Sequence, residues 1–148
     1  MKQKLMQIQQ VINSLTTPKD PTLHELTNDL IQESAALAIL NRNYIVNNIP
    51  ADLRVETSGV MVSSVLDKLL YTVFRHAQNS VILISARVYG MTILVHVKSK
   101  GTISPGLPEE LGHASLKAKN SGGIIEMIQC ESGHASVAYC FLNEAGAA

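Results

Sequence analysis

The chain has 148 residues, a length that fits one globular domain, and 46% of its residues are hydrophobic. A domain of this size buries enough apolar surface to fold without a metal or a disulfide. Its twelve basic and twelve acidic residues cancel, which argues against nucleic acid as the main partner because phosphate binding needs a basic surface.

The sequence lacks the patterns that direct a chain into or across a membrane. No apolar run approaches the roughly 18 residues of a membrane span, and the polar start MKQK lacks the hydrophobic stretch of a signal peptide. We therefore expect a cytoplasmic protein without membrane contact. Cys130 and Cys140 lie on either side of a turn signal near Gly133. A hairpin there would hold their sulfurs too far apart to bridge, so we expect two reduced thiols.

Residues 1–19 are predicted to form a lead-in helix separate from the main domain. Apolar residues recur in this segment at helical spacing, namely Leu5, Ile8, Val11, Ile12 and Leu15. The segment contains no histidine. Its apolar stripe suits pairing with a second copy, so a homodimer built through these helices is one prediction of the sequence.

The main domain is predicted to span residues 20–143 and to begin with a helix and two strands. Residues 22–25 (TLHE) form a capping box, and apolar residues continue at helical spacing to about residue 40. Residues 44–49 are predicted as a strand that Pro50 ends. Residues 53–57 alternate between apolar and polar, which predicts a second strand.

The most regular helix is predicted from about residue 60 to residue 77, where one stripe is wholly apolar. A hairpin follows, because residues 82–88 and 93–97 alternate on either side of a turn at residues 89–92. Residues 99–108 are rich in Gly, Pro and Ser, which predicts a loop.

The C-terminal part is predicted as a short helix and a hairpin. The helix covers residues 109–119 and is closed by Gly122-Gly123. The hairpin pairs residues 124–130 with residues 135–142, and residues 144–148 are a frayed tail. This element order predicts an α+β fold, a two-layer sandwich in which a mixed, mostly antiparallel sheet carries helices on one face.

Two stretches resemble a known family, residues 49–55 (IPADLRV) and residues 65–77 (VLDKLLYTVFRHA). Together with the hairpin, the loop and its glycine, and the later glycine pair, they resemble the ATP-binding domain of sensor histidine kinases. That domain belongs to the GHKL superfamily, which includes gyrase, heat-shock chaperone and mismatch-repair ATPases. The resemblance covers about residues 20–143 and implies a histidine-kinase ATPase-like fold with a nucleotide pocket.

In that family the long helix carries an asparagine box, roughly N-L-L-x-N-A-x-(K/R)-(H/Y), whose second asparagine helps to bind magnesium. Here the matching stretch reads KLLYTVFRH, so Arg75 and His76 agree while Lys68 and Thr72 replace the asparagines. A threonine hydroxyl reaches less far than an amide carbonyl. A lysine repels a metal ion, although it can contact a phosphate. As a residue at a helix end, His76 could instead cap backbone carbonyls.

The other two boxes of the family are also altered. The D-x-G-x-G box, whose aspartate binds the adenine amino group, corresponds to SKGTI: Gly101 is kept, Ser99 replaces the aspartate and Ile103 replaces the second glycine. Losing a hydrogen bond to a charged group weakens binding about ten- to a hundredfold. The glycine-rich phosphate loop is reduced to Gly112.

Two interpretations of the function follow from the resemblance and from these losses. We expect a degenerate histidine-kinase-like ATPase domain that binds or regulates proteins in a two-component or phosphorelay pathway. It would have no catalytic residue, metal site or cofactor of its own, and its partner would be a response-regulator-like or other signalling protein. The alternative is a weak kinase module of the sensor histidine kinase or anti-sigma-factor type. That module would phosphorylate histidine or serine using ATP and magnesium held at the altered positions.

The remaining histidines show no spacing typical of a metal site. His24 lies in the first turn of a capped helix and is expected to be solvated. His96, His113 and His134 are scattered along the chain and are expected to be structural or on the surface.

Overall fold

The structure, a computed structural model, describes residues 21–131 and 133–144. The predicted lead-in helix of residues 1–19 and nearly all of the predicted tail lie outside the described residues. The elements follow in this order: α1 (Leu23–Glu33), α2 (Ala35–Leu40), β1 (Tyr44–Asn47), α3 (Gly59–His76), β2 (Ala77–Tyr89), β3 (Thr92–Ile103), α4 (Leu107–Asn120), β4 (Ile124–Glu131) and β5 (His134–Leu142).

The five strands form one mixed sheet in the order β1-β2-β3-β5-β4. β1 runs parallel to β2, and the remaining neighbours are antiparallel. Strand side chains alternate between a face buried under the helices and a face that no described helix covers. The prediction of an α+β, two-layer, mostly antiparallel fold is confirmed. None of the described helices is long and apolar enough to cross a membrane.

α3 supplies the centre of the core. Ser58 caps it by accepting a hydrogen bond from the Met61 amide at 3.3 Å. Its apolar stripe is buried against the inner face of the sheet and against α4, and includes Val65, Leu66, Leu69, Leu70, Val73 and Phe74. Each such side chain contributes about 1.5–3 kcal/mol by leaving water. α3 therefore has a fixed position, and residues on its last two turns have fixed surroundings.

The predicted strand over residues 53–57 is wrong. This segment takes part in the strand pairing only through an isolated bridge between Arg54 and Thr22. Its backbone groups bind elsewhere, since the Asn143 side chain accepts from the Glu56 amide at 2.7 Å and donates to the Arg54 carbonyl at 2.8 Å. Val55 donates to the Pro21 carbonyl. Leu53 and Val55 alternate with polar residues because their side chains pack into the hydrophobic core, although the segment is not a strand of the sheet.

Two predicted boundaries also differ. The predicted helix to residue 40 is interrupted at Ser34, whose φ of −99° and ψ of 11° separate α1 from α2, as serine is a weak helix former. The predicted loop over residues 99–108 begins only at Ser104. β2 starts directly after α3, and its first residue, Ala77, pairs with Ile103. β3 therefore extends as far as Ile103.

Candidate functional site

Lys68 and Thr72, the two residues at the family's asparagine positions, are joined within α3 by a hydrogen bond from the Thr72 side chain to the Lys68 backbone. Thr72 is fully buried, and its Oγ1 donates to the Lys68 carbonyl at 2.7 Å. A hydroxyl that binds the carbonyl four residues earlier satisfies its donor within the helix. Thr72 therefore fills a core position, and its oxygen does not project from the helix toward a ligand.

Arg75 and His76, the two polar residues that match the family box, contact the same carboxylate. His76 Nε2 lies 2.6 Å from Glu110 Oε2, and Arg75 Nη1 contacts Glu110 Oε1. Glu110 belongs to the first turn of α4. The structure therefore brings these two candidates together and ties both to the next helix, so the interpretation of His76 as a cap for carbonyls is wrong.

Two asparagines that sequence reasoning missed cap the end of α3. Asn43 Nδ2 donates to the carbonyls of Phe74 (3.2 Å) and Ala77 (3.0 Å), and its Oδ1 accepts from the Ser80 amide at 3.2 Å. Asn41 Nδ2 donates to the Phe74 carbonyl at 3.1 Å. Carbonyls at a helix end need such partners. No sequence pattern identifies these two residues, because they lie over thirty positions from the groups they bind.

Ser99, at the position of the adenine-binding aspartate, faces the inner side of the sheet. It pairs with Ile82 and with Ala135 on the neighbouring strands and is 2% exposed. Its Oγ has no hydrogen-bond partner among the described residues. Burying a hydroxyl without a hydrogen-bond partner costs free energy, but the cost is smaller than that of burying the charged carboxylate of an aspartate. The position is one of packing within the core.

Gly101, the retained glycine of that box, lies against a bulge in β2. A Cβ built on it would lie 2.3 Å from Ser80 Oγ and 2.7 Å from the Asn79 carbonyl oxygen. Asn79 itself has a φ of 50°, and the pairing of β2 with β3 shifts between Gln78 and Val81. Two backbones thus approach closely, which only glycine permits. This protein needs the glycine for strand packing, whatever it binds.

The segment that should form the family's lid is very short. Residues 104–106 alone connect β3 to α4, and the Ser104 amide donates to the His76 carbonyl at 2.7 Å. α4 then packs against α3, with Leu107 fully buried at its start. Gly112, assigned by sequence to the phosphate loop, lies in the middle of α4. This position agrees with the helix predicted over residues 109–119, and the apolar spacing of residues 107–118 continues the helix through the glycine.

The cavities of the described residues lie away from most of the candidate site residues. Five cavities of about 230 to 610 Å³ lie in the described residues, and none of them is lined by Lys68, Thr72, Arg75, His76, Gly101 or Gly112. Ser99 contributes to one, which opens on the uncovered face of the sheet beside Lys98 and Lys100. Residues 21–131 and 133–144 also hold no cluster of three His, Cys, Asp or Glu that could bind a metal.

The remaining histidines and cysteines have separate surroundings. His24 is partly buried and its Nδ1 lies 2.8 Å from the Ile49 carbonyl oxygen, so the expectation of a solvated residue is wrong. His96 contacts the Ser136 hydroxyl on the uncovered face. Cys130 and Cys140 are both free, as expected, and pair with Ala135 and Ile124 respectively.

Comparison with solved structures places this architecture among known folds. A histidine kinase from Burkholderia phymatum superposes with a TM-score of 0.70 at 12% identity, covering 98% of this chain and 80% of that one. The nucleotide-free catalytic domain of histidine kinase ThkA gives 0.67 at 18% identity, covering 82% and 92%. This chain has the histidine-kinase ATPase fold.

Histidine kinase AdeS of Acinetobacter baumannii is similar as well, with a TM-score of 0.71 at 11% identity over 84% of this chain. The match spans 66% of the length of that kinase chain. No protein-family model matches this chain, and no curated protein matches it in sequence. At such low identities the likeness concerns the fold. What the fold does here has to be argued from the residues of this chain.

Proposed function

We propose that this chain is a degenerate histidine-kinase ATPase domain that acts through protein contacts in two-component signalling, without turning over ATP. One observation carries the proposal: α4 packs directly on α3 after a connection of three residues, at the position where the family's lid would open. At the altered positions, Thr72 and Ser99 are buried, and Thr72 donates to the backbone carbonyl of Lys68.

The polar groups around α3 support the same conclusion. Thr72 donates within its own helix, and Arg75 and His76 share Glu110. Each of these side chains would have to give up its present partner to bind a phosphate or a metal. Leaving the buried Thr72 hydroxyl without a partner would cost about 1–3 kcal/mol. Separating Glu110 from Arg75, which is 54% exposed, would cost less because solvent screens that pair.

The nature of the partner is inferred from the fold. ThkA, which has this fold, was solved in complex with the response regulator protein TrrA, and that structure matches 97% of this chain with a TM-score of 0.65 at 17% identity. We therefore propose a response-regulator-like or other signalling protein as the partner. A homodimer through the N-terminal segment, residues 1–19, remains part of this proposal.

Thermal unfolding with nucleotide tests the proposal. A ligand at a hundred times its dissociation constant would stabilise the fold by about 2.7 kcal/mol. We expect millimolar magnesium-ATP to leave the melting temperature unchanged relative to magnesium alone, because binding should be no tighter than about millimolar. Magnesium with inorganic triphosphate is the matched control, since it detects anion binding at surface lysines. A rise with ATP that triphosphate does not reproduce would favour the weak kinase.

Phosphate transfer provides a second test. Incubated with radioactive ATP, the full chain should acquire no acid-labile, alkali-stable label, since residues 1–19 hold no histidine acceptor. Label of that kind on this chain would contradict the non-catalytic role. A histidine kinase with an intact asparagine box, assayed in parallel, establishes that the conditions support transfer.

A further inference from the structure

A groove lies between α1 and α3, which pack side by side, and it holds a cavity of about 610 Å³. Most of its lining is apolar or small, namely Pro21, Leu26, Leu30, Gly59, Val60, Ser63 and Ser64. Val60 is 81% exposed, so no described residue covers this part of the groove. An open apolar groove of this kind is a surface on which another chain segment can pack.

The two ends of the groove differ in charge. At one end Pro21 lies against the start of α3, since a Cβ built on Gly59 would be 3.3 Å from Pro21 Cγ. At the other end the lining includes Glu33, the last residue of α1, and Asp67, further along α3. Neither carboxylate forms a salt bridge with a described residue, and the last turn of α1 holds no basic residue. Because a helix C-terminus carries partial negative charge as well, this end favours a cation.

Residues 1–19 reach the described part of the chain at the first of these ends, beside Pro21. They contain three lysines, Lys2, Lys4 and Lys19, and no acidic residue. The apolar stripe of the predicted lead-in helix covers residues 5–15, and α1 has the same length of eleven residues. Each helix is therefore about 16 Å long. The segment matches the groove in length, in apolar character and in the sign of its charge.

The connection fixes the direction in which the segment can lie. Residues 16–20 can span about 17 Å when extended, and packed helices lie about 8–10 Å apart. The connection is thus long enough to turn the segment back along the groove, antiparallel to α1. That direction brings Lys2 and Lys4 to the end of the groove where Glu33 stands.

We propose that residues 1–15 dock in this groove of their own chain, with the apolar stripe on its floor and Lys2 and Lys4 at its acidic end. The homodimer of the proposed function uses the same stripe, so the two contacts exclude each other. Docking therefore regulates that homodimer, because a copy can pair only after its segment has left the groove. This consequence rests on the proposed function, whereas the docking itself needs no second copy.

A fluorescent reporter in the groove tests the docking on the full-length chain. The chain contains no tryptophan, so Val60→Trp provides a single one. In samples that are monomeric by sedimentation, its emission should lie at short wavelength and resist quenching by acrylamide. Ile8→Asp with Ile12→Asp should increase the quenching severalfold, because it puts carboxylates into the apolar stripe. Gln10→Asp with Asn13→Asp, on the opposite face of the predicted helix, adds the same charge and should change nothing.

Charge reversal tests the direction of the segment. Glu33→Lys with Asp67→Lys should increase the quenching of the Val60→Trp reporter, because like charges then meet at that end. The increase should be smaller than that of the stripe variant, since exposed ion pairs contribute little. Adding Lys2→Glu with Lys4→Glu to this variant should restore the protection.

Leu116→Trp, at a position of α4 that is 61% exposed, is the control reporter and should be quenched equally in every variant. A Val60→Trp reporter that is as accessible as this control would overturn the proposal, and so would the absence of rescue by the second reversal. Protection that appears only at concentrations where the chain dimerises would also overturn it, because a second copy would then cover the groove.

The homodimer is judged by a separate measurement. Glu33→Lys with Asp67→Lys releases the segment and leaves its apolar stripe intact, so sedimentation equilibrium should show tighter self-association than in the parent chain. A released variant that stays monomeric would contradict the homodimer of the proposed function. It would support docking within the chain as the role of the stripe.

Discussion

The two faces of β3 differ in what their side chains do. Val97 and Ser99 point to the helices and are 1% and 2% exposed, whereas Lys98 and Lys100 point outward to a face without a described helix. In the histidine-kinase resemblance the nucleotide chemistry belongs to the inner face. In this chain that face is a filled core, and the charged side chains stand on the outer one. The charged side chains of this strand therefore lie on the face opposite to the one where the resemblance implies nucleotide chemistry.

Removing a side chain from the inner layer should have the largest effect. Leu107→Ala shortens a fully buried side chain at the start of α4 and should lower the free energy of unfolding by about 2–5 kcal/mol. Leu116→Ala on the same helix, where the leucine is 61% exposed, should change it by less than about 0.5 kcal/mol. Urea unfolding measures both. Equal, small effects would show that α4 is a loosely held lid.

Restoring the family's polar residues should have the second-largest effect on stability. Ser99→Asp with Thr72→Asn places a carboxylate and an amide at positions that are 2% and 0% exposed. The double variant should lose about 1–3 kcal/mol or more of stability, and magnesium-ATP should not restore it. Thr102→Asp, an exposed position of the same strand, is the control and should be nearly neutral.

The pH dependence of that double variant follows from the same burial. A buried carboxyl has a raised pKa, so it is neutral in both the folded and the unfolded chain at low pH. The loss of stability should therefore be small near pH 3 and should grow as the pH rises through the unfolded pKa of about 3.9. A variant that matches the parent at pH 7 and gains stability from magnesium-ATP would mean that the inner face is an open pocket.

Loosening the contact between α3 and α4 should have a smaller effect. Glu110→Gln removes the charge that Arg75 and His76 share, and these side chains are 54% and 15% exposed. Because solvent screens the arginine, we expect a loss of about 1 kcal/mol. Glu109→Gln, at the exposed neighbouring position, should have almost no effect. Indistinguishable unfolding midpoints would show that the shared carboxylate does not fasten the two helices.

The smallest effect concerns the outer face. The pKa of His96 is lowered by burial first, and then by the charges of Lys98 and Arg87. Neutral His96 is therefore favoured in the folded chain, so its contribution is present above the unfolded pKa of about 6.5 and is lost as the pH falls through the lowered value. Lys98→Gln should raise the pKa of His96 in an NMR titration. Lys117→Gln should not, and an equal shift would exclude the local charge as the cause.

Periodic patterns predicted the regular parts of the fold well. The unbroken apolar stripe of α3 and the alternation in β2 and β3 set their faces, and the register that pairs Cys130 with Ala135 followed from the turn between them. The segment over residues 53–57 failed because its partners include Asn143, nearly ninety positions away. Local alternation reports which side chains are buried, and it carries no information about where the backbone finds its hydrogen bonds.

The candidate site was predictable in part. Replacement of the family's asparagines and aspartate was visible at Lys68, Thr72 and Ser99. The engagement of Arg75 and His76 by Glu110 was not, since a contact between two helices depends on how they pack. Gly112 was matched to the phosphate loop by residue type alone, and the helix predicted over residues 109–119 already contained it.

Gly101 has a structural role in the sheet that does not depend on any ligand. A side chain at this position would overlap Ser80 and the Asn79 carbonyl, so any larger residue would force the bulged start of β2 away from β3. Selection for a folded sheet is then sufficient to keep the glycine, with no contribution from nucleotide binding. When sequences of this fold are sorted into active and inactive members, this glycine should be given no weight, and the decision should rest on the positions of Thr72 and Ser99.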